Sequence, residues 1–237
     1  MRVLAIVPAF NEEDSIEQVI AELRAITPVI DVLVVDDGSS DGTARRARGA
    51  GARVARLPFN GGIGGAVQTG YRMAWTEGYD VACQVDGDGQ HPADQLPRLL
   101  SGISAGANYV VGSRFVEQTD YRPSRSRRGG MLVLSWVVSK IVGRPVTDTT
   151  SGFRAADREA IRLFAGHYPH DYPEVEALVM AARDGLRVSE VSVDMRDRMA
   201  GRSSITPLRS VYYMFKVLLA VGVQCLGRRP ARQELGT

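Results

Sequence analysis

The sequence is poor in cysteine and histidine, and each shortage excludes a class of protein. Its two cysteines, Cys83 and Cys225, have neither the spacing of a metal site nor the number that a disulfide framework needs. Of the three histidines, His167 and His170 lie close together, but no third ligand is spaced to join them, so we expect both at the surface. The composition therefore predicts a reduced, intracellular protein without disulfides.

Long apolar runs are also scarce. The run at 3–7 contains five apolar residues, which is too short for the hydrophobic part of a signal peptide. No stretch reaches the length of a membrane-spanning helix. We therefore expect neither a signal peptide nor a transmembrane helix.

Neither sign of charge is in large excess, because the sequence contains 29 Lys and Arg residues and 27 Asp and Glu residues, for a net charge of +2. This balance gives no reason to expect a nucleic-acid partner. Lysine is limited to Lys140 and Lys216, so almost all basic residues are arginines. Five of them lie in the Ser- and Pro-containing span 114–128, and three more lie in the segment 228–237, for which we predict a basic disordered tail.

The chain does contain an alternation of apolar runs and amphipathic helical patterns. At 237 residues and 44% hydrophobic content it is long enough to bury a substantial core. The apolar runs predict strands at 3–7, where Pro8 ends the strand, and at 32–35, 53–57, 79–84 and 109–111. This alternation predicts an α/β fold with a mostly parallel central sheet, of Rossmann-like type, flanked by helices on both faces.

The pattern weakens after Arg114. The span from there to Arg128 predicts a polar loop that is too long for a plain connection. Helices are predicted at 131–142, 158–164 and 175–183, with a strand at 188–193. We expect these segments to complete a single domain that ends near residue 205.

The segment 206–227 predicts a hydrophobic terminal helix. It is apolar on most of its circumference, and Arg209 and Lys216 are the basic residues that interrupt it. Aromatic residues and basic flanks are typical of a helix that lies in a membrane interface. A terminal helix packed on its own domain or on a second subunit is an equal alternative, so both a membrane contact and a homo-oligomer remain open.

Acidic residues follow three of the predicted strands, in the segments 8–13, 36–39 and 86–88. In a doubly wound sheet the loops at the carboxyl ends of the strands meet at one edge. Carboxylates crowded there repel each other unless a cation or a ligand's donors lie between them. A divalent metal with a nucleotide diphosphate satisfies that requirement. For Asp36 and Asp41 alone we favour turn and helix-cap roles.

The segment 86–90 (Asp-Gly-Asp-Gly-Gln) is the sharpest of these signals. It places two carboxylates and an amide after a buried strand, which is a donor set for a hard cation, although a solvated turn would have the same composition. The glycine-rich segment 60–65 opens a predicted helix and indicates close backbone approach to a ligand. It has neither the dinucleotide-binding spacing nor the Lys-Ser/Thr of a P-loop.

Six short motifs occur in order with regular spacing: 8–12 (Pro-Ala-Phe-Asn-Glu), 35–39 (Val-Asp-Asp-Gly-Ser), 60–64 (Asn-Gly-Gly-Ile-Gly), 86–92 (Asp-Gly-Asp-Gly-Gln-His-Pro), 112–114 (Gly-Ser-Arg) and 151–154 (Ser-Gly-Phe-Arg). Together they resemble the family 2 glycosyltransferases of the GT-A fold. Within that family the sequence is most similar to the dolichyl- or polyprenyl-phosphate mannose and glucose synthases. The resemblance covers residues 1–205, of which 1–112 would bind the nucleotide sugar and 113–205 the acceptor.

The resemblance implies roles for individual residues. The donor would be bound by Pro8, Ala9, Phe10, Glu12, Val35, Asp37, Gly61, Asp86, Gly87, Asp88, Arg198 and Ser203. Mg²⁺ or Mn²⁺ would be bound by Asp86, Asp88 and Gln90. The acceptor phosphate would be bound by Arg114, Arg127 and Arg128, and the catalytic residues would include Asp88 and Arg114.

The segment 167–176 departs from the lipid-phosphate synthases, because it is richer in acids and aromatic rings. Asp171 and Glu174 are therefore candidate catalytic bases or acceptor contacts, which a hydroxyl acceptor would require. Charges of a surface loop and a helix cap are the alternative.

The resemblance predicts an inverting, metal-dependent transferase that moves a hexose from a donor of the GDP-mannose or UDP-glucose type to a polyprenyl or dolichyl phosphate. The same transferase acting on a hydroxyl of a glycan, lipid or small molecule is one alternative. A non-catalytic nucleotide-sugar-binding protein or a nucleotidyltransferase is another. We expect a cytoplasmic protein, peripheral at the inner face of the cell membrane, through its own contact or an integral membrane partner.

Overall fold

The computed structural model describes residues 1–26, 30–115 and 125–196 and the isolated positions 216, 217, 219 and 222, with the backbone alone for 125–132. Its strands are β1 (Val3–Ala9), β2 (Ile30–Asp36), β3 (Arg53–Arg56), β4 (Val81–Gln84), β5 (Tyr109–Ser113), β6 (Arg154–Asp157) and β7 (Val188–Ser192). Its α-helices are α1 (Ile16–Ile26), α2 (Thr43–Gly49), α3 (Ile63–Thr76), α4 (Leu96–Ser104), α5 (Arg125–Val142), α6 (Arg158–Gly166) and α7 (Pro173–Arg183). A short 3₁₀ turn, Ala93–Gln95, precedes α4.

The seven strands form one sheet in the order β3-β2-β1-β4-β6-β5-β7. The pairs β3-β2, β2-β1, β1-β4 and β5-β7 are parallel, and β6 is antiparallel to both of its neighbours. Buried residues form one hydrophobic cluster on each face of the sheet. This arrangement confirms the predicted α/β domain with a mostly parallel sheet between layers of helices.

Three local predictions were wrong. Strand β6 was missed, because its four residues (Arg-Ala-Ala-Asp) carry charges at both ends and show no apolar run. Strand β1 continues through Pro8, whose missing N–H is tolerated because β4 pairs with β1 only as far as Ile6. The predicted loop 114–128 ends earlier than expected, since α5 begins at Arg125 and includes the backbone of Arg127 and Arg128.

The predicted terminal helix lies mostly outside the described residues, and so does the tail 228–237. Within its four described positions, Val217 is fully buried in the same cluster as Leu134 and Val138 of α5, whereas Leu219 is 59% exposed. No helix in the described part of the chain combines the length and apolarity that crossing a membrane requires.

Candidate active site

The carboxyl ends of β1, β2 and β4 lie side by side, since β1 pairs in parallel with both of the other strands. The loops that follow them therefore meet at one edge of the sheet, as predicted. They surround a cavity of about 260 Å³. Eight predicted donor residues line it, namely Pro8, Ala9, Phe10, Glu12, Asp37, Asp86, Gly87 and Asp88, and Asn60, Gly62, Ile63 and Ala66 complete its wall.

Asn11 joins the loop after β1 to the loop after β2. Its φ is 55°, an uncommon conformation for a residue other than glycine, and it is held there from both sides. The Asn11 N–H donates to Ser39 Oγ at 2.9 Å, and Asn11 Oδ1 accepts from the Ser40 N–H at 3.0 Å. This pairing fixes the loop that presents Phe10 and Glu12 to the cavity.

Asp36 and Asp41 have the structural roles that we favoured for them. Asp36 Oδ1 accepts a 3.0 Å hydrogen bond from the Ser39 N–H, which closes a turn. Asp41 Oδ1 accepts from the N–H of Thr43, the first residue of α2. Neither side chain lines the cavity.

Asp37 organises the glycine-rich loop. Its Oδ1 accepts from the Gly61 N–H at 2.8 Å, and its Oδ2 accepts from the Gly62 N–H at 2.9 Å. The side chain is only 4% exposed yet lies on the cavity wall. Gly61 is thus placed beside the cavity through Asp37, whereas Val35, another predicted donor residue, is fully buried in the core.

The segment 86–90 forms the acidic side of the cavity. Asp88 is 3% exposed, and its Oδ1 accepts a 3.0 Å hydrogen bond from the Gln90 N–H. The carbonyl of Gln90 accepts from the Arg196 N–H, which joins this loop to the chain beyond β7. The side chain of Gln90 is half-buried and does not line the cavity.

His91 supports the same loop, although the sequence pattern did not single it out. Its Nδ1 accepts a 3.0 Å hydrogen bond from the Asp86 N–H, and its Nε2 lies 3.7 Å from Asp86 Oδ2. The ring is buried and stacks on Phe153 at a centroid distance of 4.9 Å. The signal available in the sequence was its place within the motif 86–92, directly after Gln90.

The oxygen atoms of this site suit a hard cation that also binds a ligand. Within the described residues, no three acidic, histidine or cysteine side chains converge into a closed metal cage. Asp86 and Asp88 nevertheless face one cavity, and Gly152 leaves room beside the Asp86 carboxylate, where an added Cβ would lie 2.9 Å from Oδ2. Mg²⁺ is commonly bound by one or two carboxylates, with phosphate oxygens and water completing its shell. The residues present therefore fit Mg²⁺ or Mn²⁺.

Arg114, at the carboxyl end of β5, forms a bidentate ion pair with Asp148. Arg114 Nε and Nη2 donate to the two carboxylate oxygens at 2.7 and 2.8 Å, and Nη2 also donates to Thr150 Oγ1 at 3.0 Å. Asp148 is fully buried. Burial raises the pKa of Asp148, but hydrogen bonds and charge from Arg114 outweigh burial and hold that pKa below its usual value.

The two acids that were candidate bases differ in their exposure to solvent. Asp171 is exposed, whereas Glu174, in the first turn of α7, is half-buried. Burial raises the pKa of Glu174, the buried Arg154 opposes that rise, and the charge of Asp86 adds to it. Glu174 is therefore the half-buried acid of the two and lies within electrostatic range of Asp86, whereas Asp171 faces solvent.

The loop before α7 also packs against α3, which lines the cavity. A Cβ on Gly64, in the first turn of α3, would collide with the carbonyl oxygen of Pro169 and lie 2.7 Å from the Cα of His170. Glycine at this position allows the loop to pack directly on the helix whose Ile63 and Ala66 line the cavity.

Four predicted residues have no described side chain. Arg198 and Ser203 lie outside the described residues. The side chains of Arg127 and Arg128 also lie outside them, although their backbone belongs to α5.

Comparison with known proteins adds a family relationship. Residues 4–165 match the model of the family described as glycosyl transferase family 2. The chain is 35% identical over 221 residues to an undecaprenyl-phosphate mannosyltransferase of Micrococcus luteus, covering 87% of this chain and 88% of that protein. It is 31% identical to a polyprenol monophosphomannose synthase of Mycolicibacterium smegmatis, covering 91% of this chain and 85% of that protein.

A solved structure supports the fold independently. Glucosyl-3-phosphoglycerate synthase of Mycobacterium tuberculosis, crystallised with Mn²⁺, uridine diphosphate and glucosyl-3-phosphoglycerate, superimposes with a TM-score of 0.71. The match covers 97% of this chain and 81% of that one at 22% identity, so it supports the architecture alone.

Proposed function

Since this chain belongs to glycosyl transferase family 2 and is a glycosyltransferase, we propose that it transfers a hexose from a nucleotide diphosphate sugar to a polyprenyl phosphate with inversion at the anomeric carbon. The observation that carries this proposal is the placement of Asp86 and Asp88 on the cavity where the β1, β2 and β4 loops meet. The similarity to two polyprenyl-phosphate mannose transferases over more than four-fifths of their length supports the acceptor.

The nucleotide would lie in the cavity between its apolar and acidic sides. Phe10 and Ile63 are 45% and 39% exposed and offer apolar surface to the base and ribose. Asp37 lies on the same wall and can accept a hydrogen bond from a base N–H with the lone pairs that the glycine loop does not use. This part of the site would therefore hold the donor before any chemistry takes place.

The diphosphate would face Asp86 and Asp88. A bound Mg²⁺ or Mn²⁺ would supply positive charge to stabilise the diphosphate as it leaves. The task of the chain is to hold the two carboxylates in place. His91 does so through the Asp86 backbone, and the Gln90 N–H does so through Asp88 Oδ1.

Arg114 would bind the acceptor phosphate. A phosphate monoester is largely a dianion near neutral pH, since its second pKa is about 6, so its oxygen can attack the anomeric carbon without a strong base. The new bond forms between that oxygen and the anomeric carbon as the bond to the nucleotide diphosphate breaks, and the bonding electrons leave with the diphosphate. A guanidinium beside the attacking phosphate aligns it and offsets repulsion between the two phosphate groups.

A hydroxyl acceptor is the second candidate, and Glu174 is the observation that favours it. A hydroxyl must lose a proton as it attacks, and Glu174, a half-buried carboxyl whose pKa is raised by burial, would be the group that takes that proton. This candidate requires Glu174, whereas the phosphate acceptor does not.

A polyprenyl phosphate is held in a lipid bilayer, so the acceptor half of the site would meet a membrane surface. We expect peripheral contact at the cytoplasmic face through the segment 206–227, where Leu219 is exposed. Aromatic residues and the basic residues near this segment in the sequence suit an anionic surface.

The test is an acceptor competition. Purified protein is incubated with Mn²⁺ or Mg²⁺ and radiolabelled GDP-mannose or UDP-glucose, together with undecaprenyl phosphate in detergent micelles or its dephosphorylated alcohol. We expect label in the lipid fraction with the phosphate, and none with the alcohol. The Glu174→Gln variant should retain most of this activity. Transfer to the alcohol alone, with loss in Glu174→Gln, would establish the hydroxyl acceptor instead.

A further inference from the structure

The buried partner of Arg114 belongs to a short segment, Thr147 to Arg154, that the proposed reaction does not use directly. Asp148 contributes both carboxylate oxygens to Arg114, and it also accepts a 3.2 Å hydrogen bond from the Arg114 backbone N–H. Because a bidentate pair fixes the plane of the guanidinium as well as its position, the direction of Arg114 depends on Asp148.

Asp148 is in turn held by Glu190 of β7. Glu190 Oε1 accepts from the backbone N–H of Asp148 at 2.8 Å, and Oε2 accepts from the Thr147 N–H at 2.8 Å and from the Thr147 hydroxyl at 2.9 Å. The Thr147 hydroxyl also lies 2.8 Å from Ser113 Oγ, next to Arg114 on β5. The start of the segment is thus fastened to both β5 and β7.

The other end of the same segment meets the acidic side of the donor cavity. Gly152 lies against the Asp86 carboxylate, and Phe153 stacks on His91. The fully buried Arg154 ties the segment to its own backbone and to β5, because its Nε donates to the Ser151 carbonyl at 2.7 Å and its Nη1 donates to Tyr109 Oη at 2.8 Å. One hydrogen-bonded piece of chain therefore contacts both Arg114, through Asp148, and Asp86, through Gly152.

We propose that this segment sets the position of the acceptor relative to the donor, with Asp148 and Glu190 as positioning residues that act through Arg114. This inference rests on the proposed function, in which Arg114 binds the acceptor phosphate. An attacking oxygen must lie close to the anomeric carbon and in line with the leaving group, and small misplacements cost large factors in rate. A flexible arginine could supply charge, but only a fixed one supplies this alignment.

The central test replaces Asp148 by asparagine. The Asp148→Asn variant keeps the size of the side chain but places an amide N–H₂ where a carboxylate oxygen now accepts from Arg114. We expect kcat/KM for undecaprenyl phosphate to fall by about tenfold or more. The KM for the sugar nucleotide and the affinity for UDP with Mn²⁺, measured by calorimetry, should stay within about twofold.

The matched control is Glu77→Gln. Glu77 forms a bidentate pair with Arg53, with both N–O distances at 2.6 Å, at the opposite edge of the sheet. We expect no change in either kinetic constant for this variant, although it also loses a bidentate arginine–carboxylate pair, in this case a partly exposed one. An equal loss in Glu77→Gln would overturn the inference.

A double variant separates positioning from general stability. If Asp148 acts through Arg114, adding Asp148→Asn to Arg114→Ala should reduce kcat/KM no further. Thr150→Val removes the hydroxyl that accepts from Arg114 Nη2 and donates to Asp148 Oδ1, but it keeps the Arg114–Asp148 ion pair. It therefore tests the same direction of effect if Asp148→Asn does not fold. It should raise the KM for undecaprenyl phosphate by a smaller factor and leave UDP binding unchanged.

The inference is wrong, and the proposed function stands, if the wild-type protein transfers sugar to undecaprenyl phosphate while Asp148→Asn and Thr150→Val leave the kinetic constants for the acceptor unchanged. It also fails if Asp148→Asn weakens UDP binding as much as acceptor turnover, or if the losses in the double variant simply multiply. If the wild-type protein transfers nothing to undecaprenyl phosphate, the proposed function falls, and this inference falls with it.

Discussion

Gly152 lies directly against the carboxylate of Asp86. A Cβ added at Gly152 would lie 2.9 Å from Oδ2 and 3.1 Å from Oδ1 of Asp86, which is closer than side-chain carbons approach carboxylate oxygens without displacement. The two residues are 66 positions apart in the sequence. The Ser-Gly-Phe-Arg motif therefore requires its glycine for the acidic side of the cavity.

Gly152→Ala should weaken metal-dependent nucleotide binding, because the added methyl group displaces Asp86. We expect the dissociation constant of UDP in the presence of Mn²⁺ to rise by about tenfold or more, measured by calorimetry. The control is Gly49→Ala in α2, where an added Cβ meets nothing within 4 Å. Unchanged UDP binding in Gly152→Ala would show either that Asp86 can move without weakening nucleotide binding or that Asp86 does not contribute to it.

Asp88→Asn should abolish the effect of metal on nucleotide binding and reduce transfer by about 100-fold or more, because it removes a charge that faces the cavity. The asparagine oxygen can still accept from the Gln90 N–H, so the loop should keep its shape. The readouts are sugar transfer and UDP affinity with and without Mn²⁺. Exposed Asp94, just past the same loop, provides the control Asp94→Asn. Normal turnover in Asp88→Asn would show that Asp88 is not a metal ligand.

Glu174→Gln should stabilise the protein at neutral pH. Burial raises the pKa of Glu174 above its usual value of 4.5, so the folded state binds the proton more tightly than the unfolded state does. The ionisation of Glu174 therefore costs stability as the pH rises from about 4.5 through the folded pKa. Because glutamine resembles the neutral acid, the variant should gain in free energy of unfolding at pH 8 relative to pH 4. Denaturant titrations at both pH values measure the gain, and an equal difference at both would contradict the assignment.

Val217 and Leu219 should respond differently to substitution, since one is buried and the other is 59% exposed. Val217→Ala should lower the free energy of unfolding by roughly 0.5–3 kcal/mol, as expected for a truncated core side chain. Leu219→Glu should leave stability nearly unchanged but reduce co-sedimentation with anionic liposomes. Stable protein with unchanged liposome binding in Leu219→Glu would exclude this face of the segment from membrane contact.

Much of the donor half could be predicted from sequence because its signals are local. Each parallel strand is a continuous apolar run, and the polar residues that follow it must lie at the carboxyl edge of the sheet. The eight predicted residues that line the cavity come from three such strand ends. The extent of β1 was less predictable, since whether Pro8 ends the strand depends on where the neighbouring strand stops.

The acceptor half was harder to predict, because its signals are not local. The four-residue strand β6 pairs with β4 and β5 through backbone hydrogen bonds, which leave little pattern in a charged and short sequence. The choice between Asp171 and Glu174 also needed the structure, since both residues border the start of the same helix and only their burial distinguishes the half-buried Glu174 from the exposed Asp171.

The sequence by itself determined the α/β class, the order of the motifs and the three acidic strand ends that meet at the cavity, because apolar runs and strand ends are local properties of the chain. The roles predicted for individual donor residues came from the resemblance to a family. The tertiary structure alone decided that Asp148 fixes Arg114, that His91 supports Asp86 and that Gly152 leaves room for its carboxylate. Except for His91, these partners come from distant segments that the strand order of the sheet brings together. A local pattern of apolar and polar residues does not specify which polar side chains from such segments will contact each other.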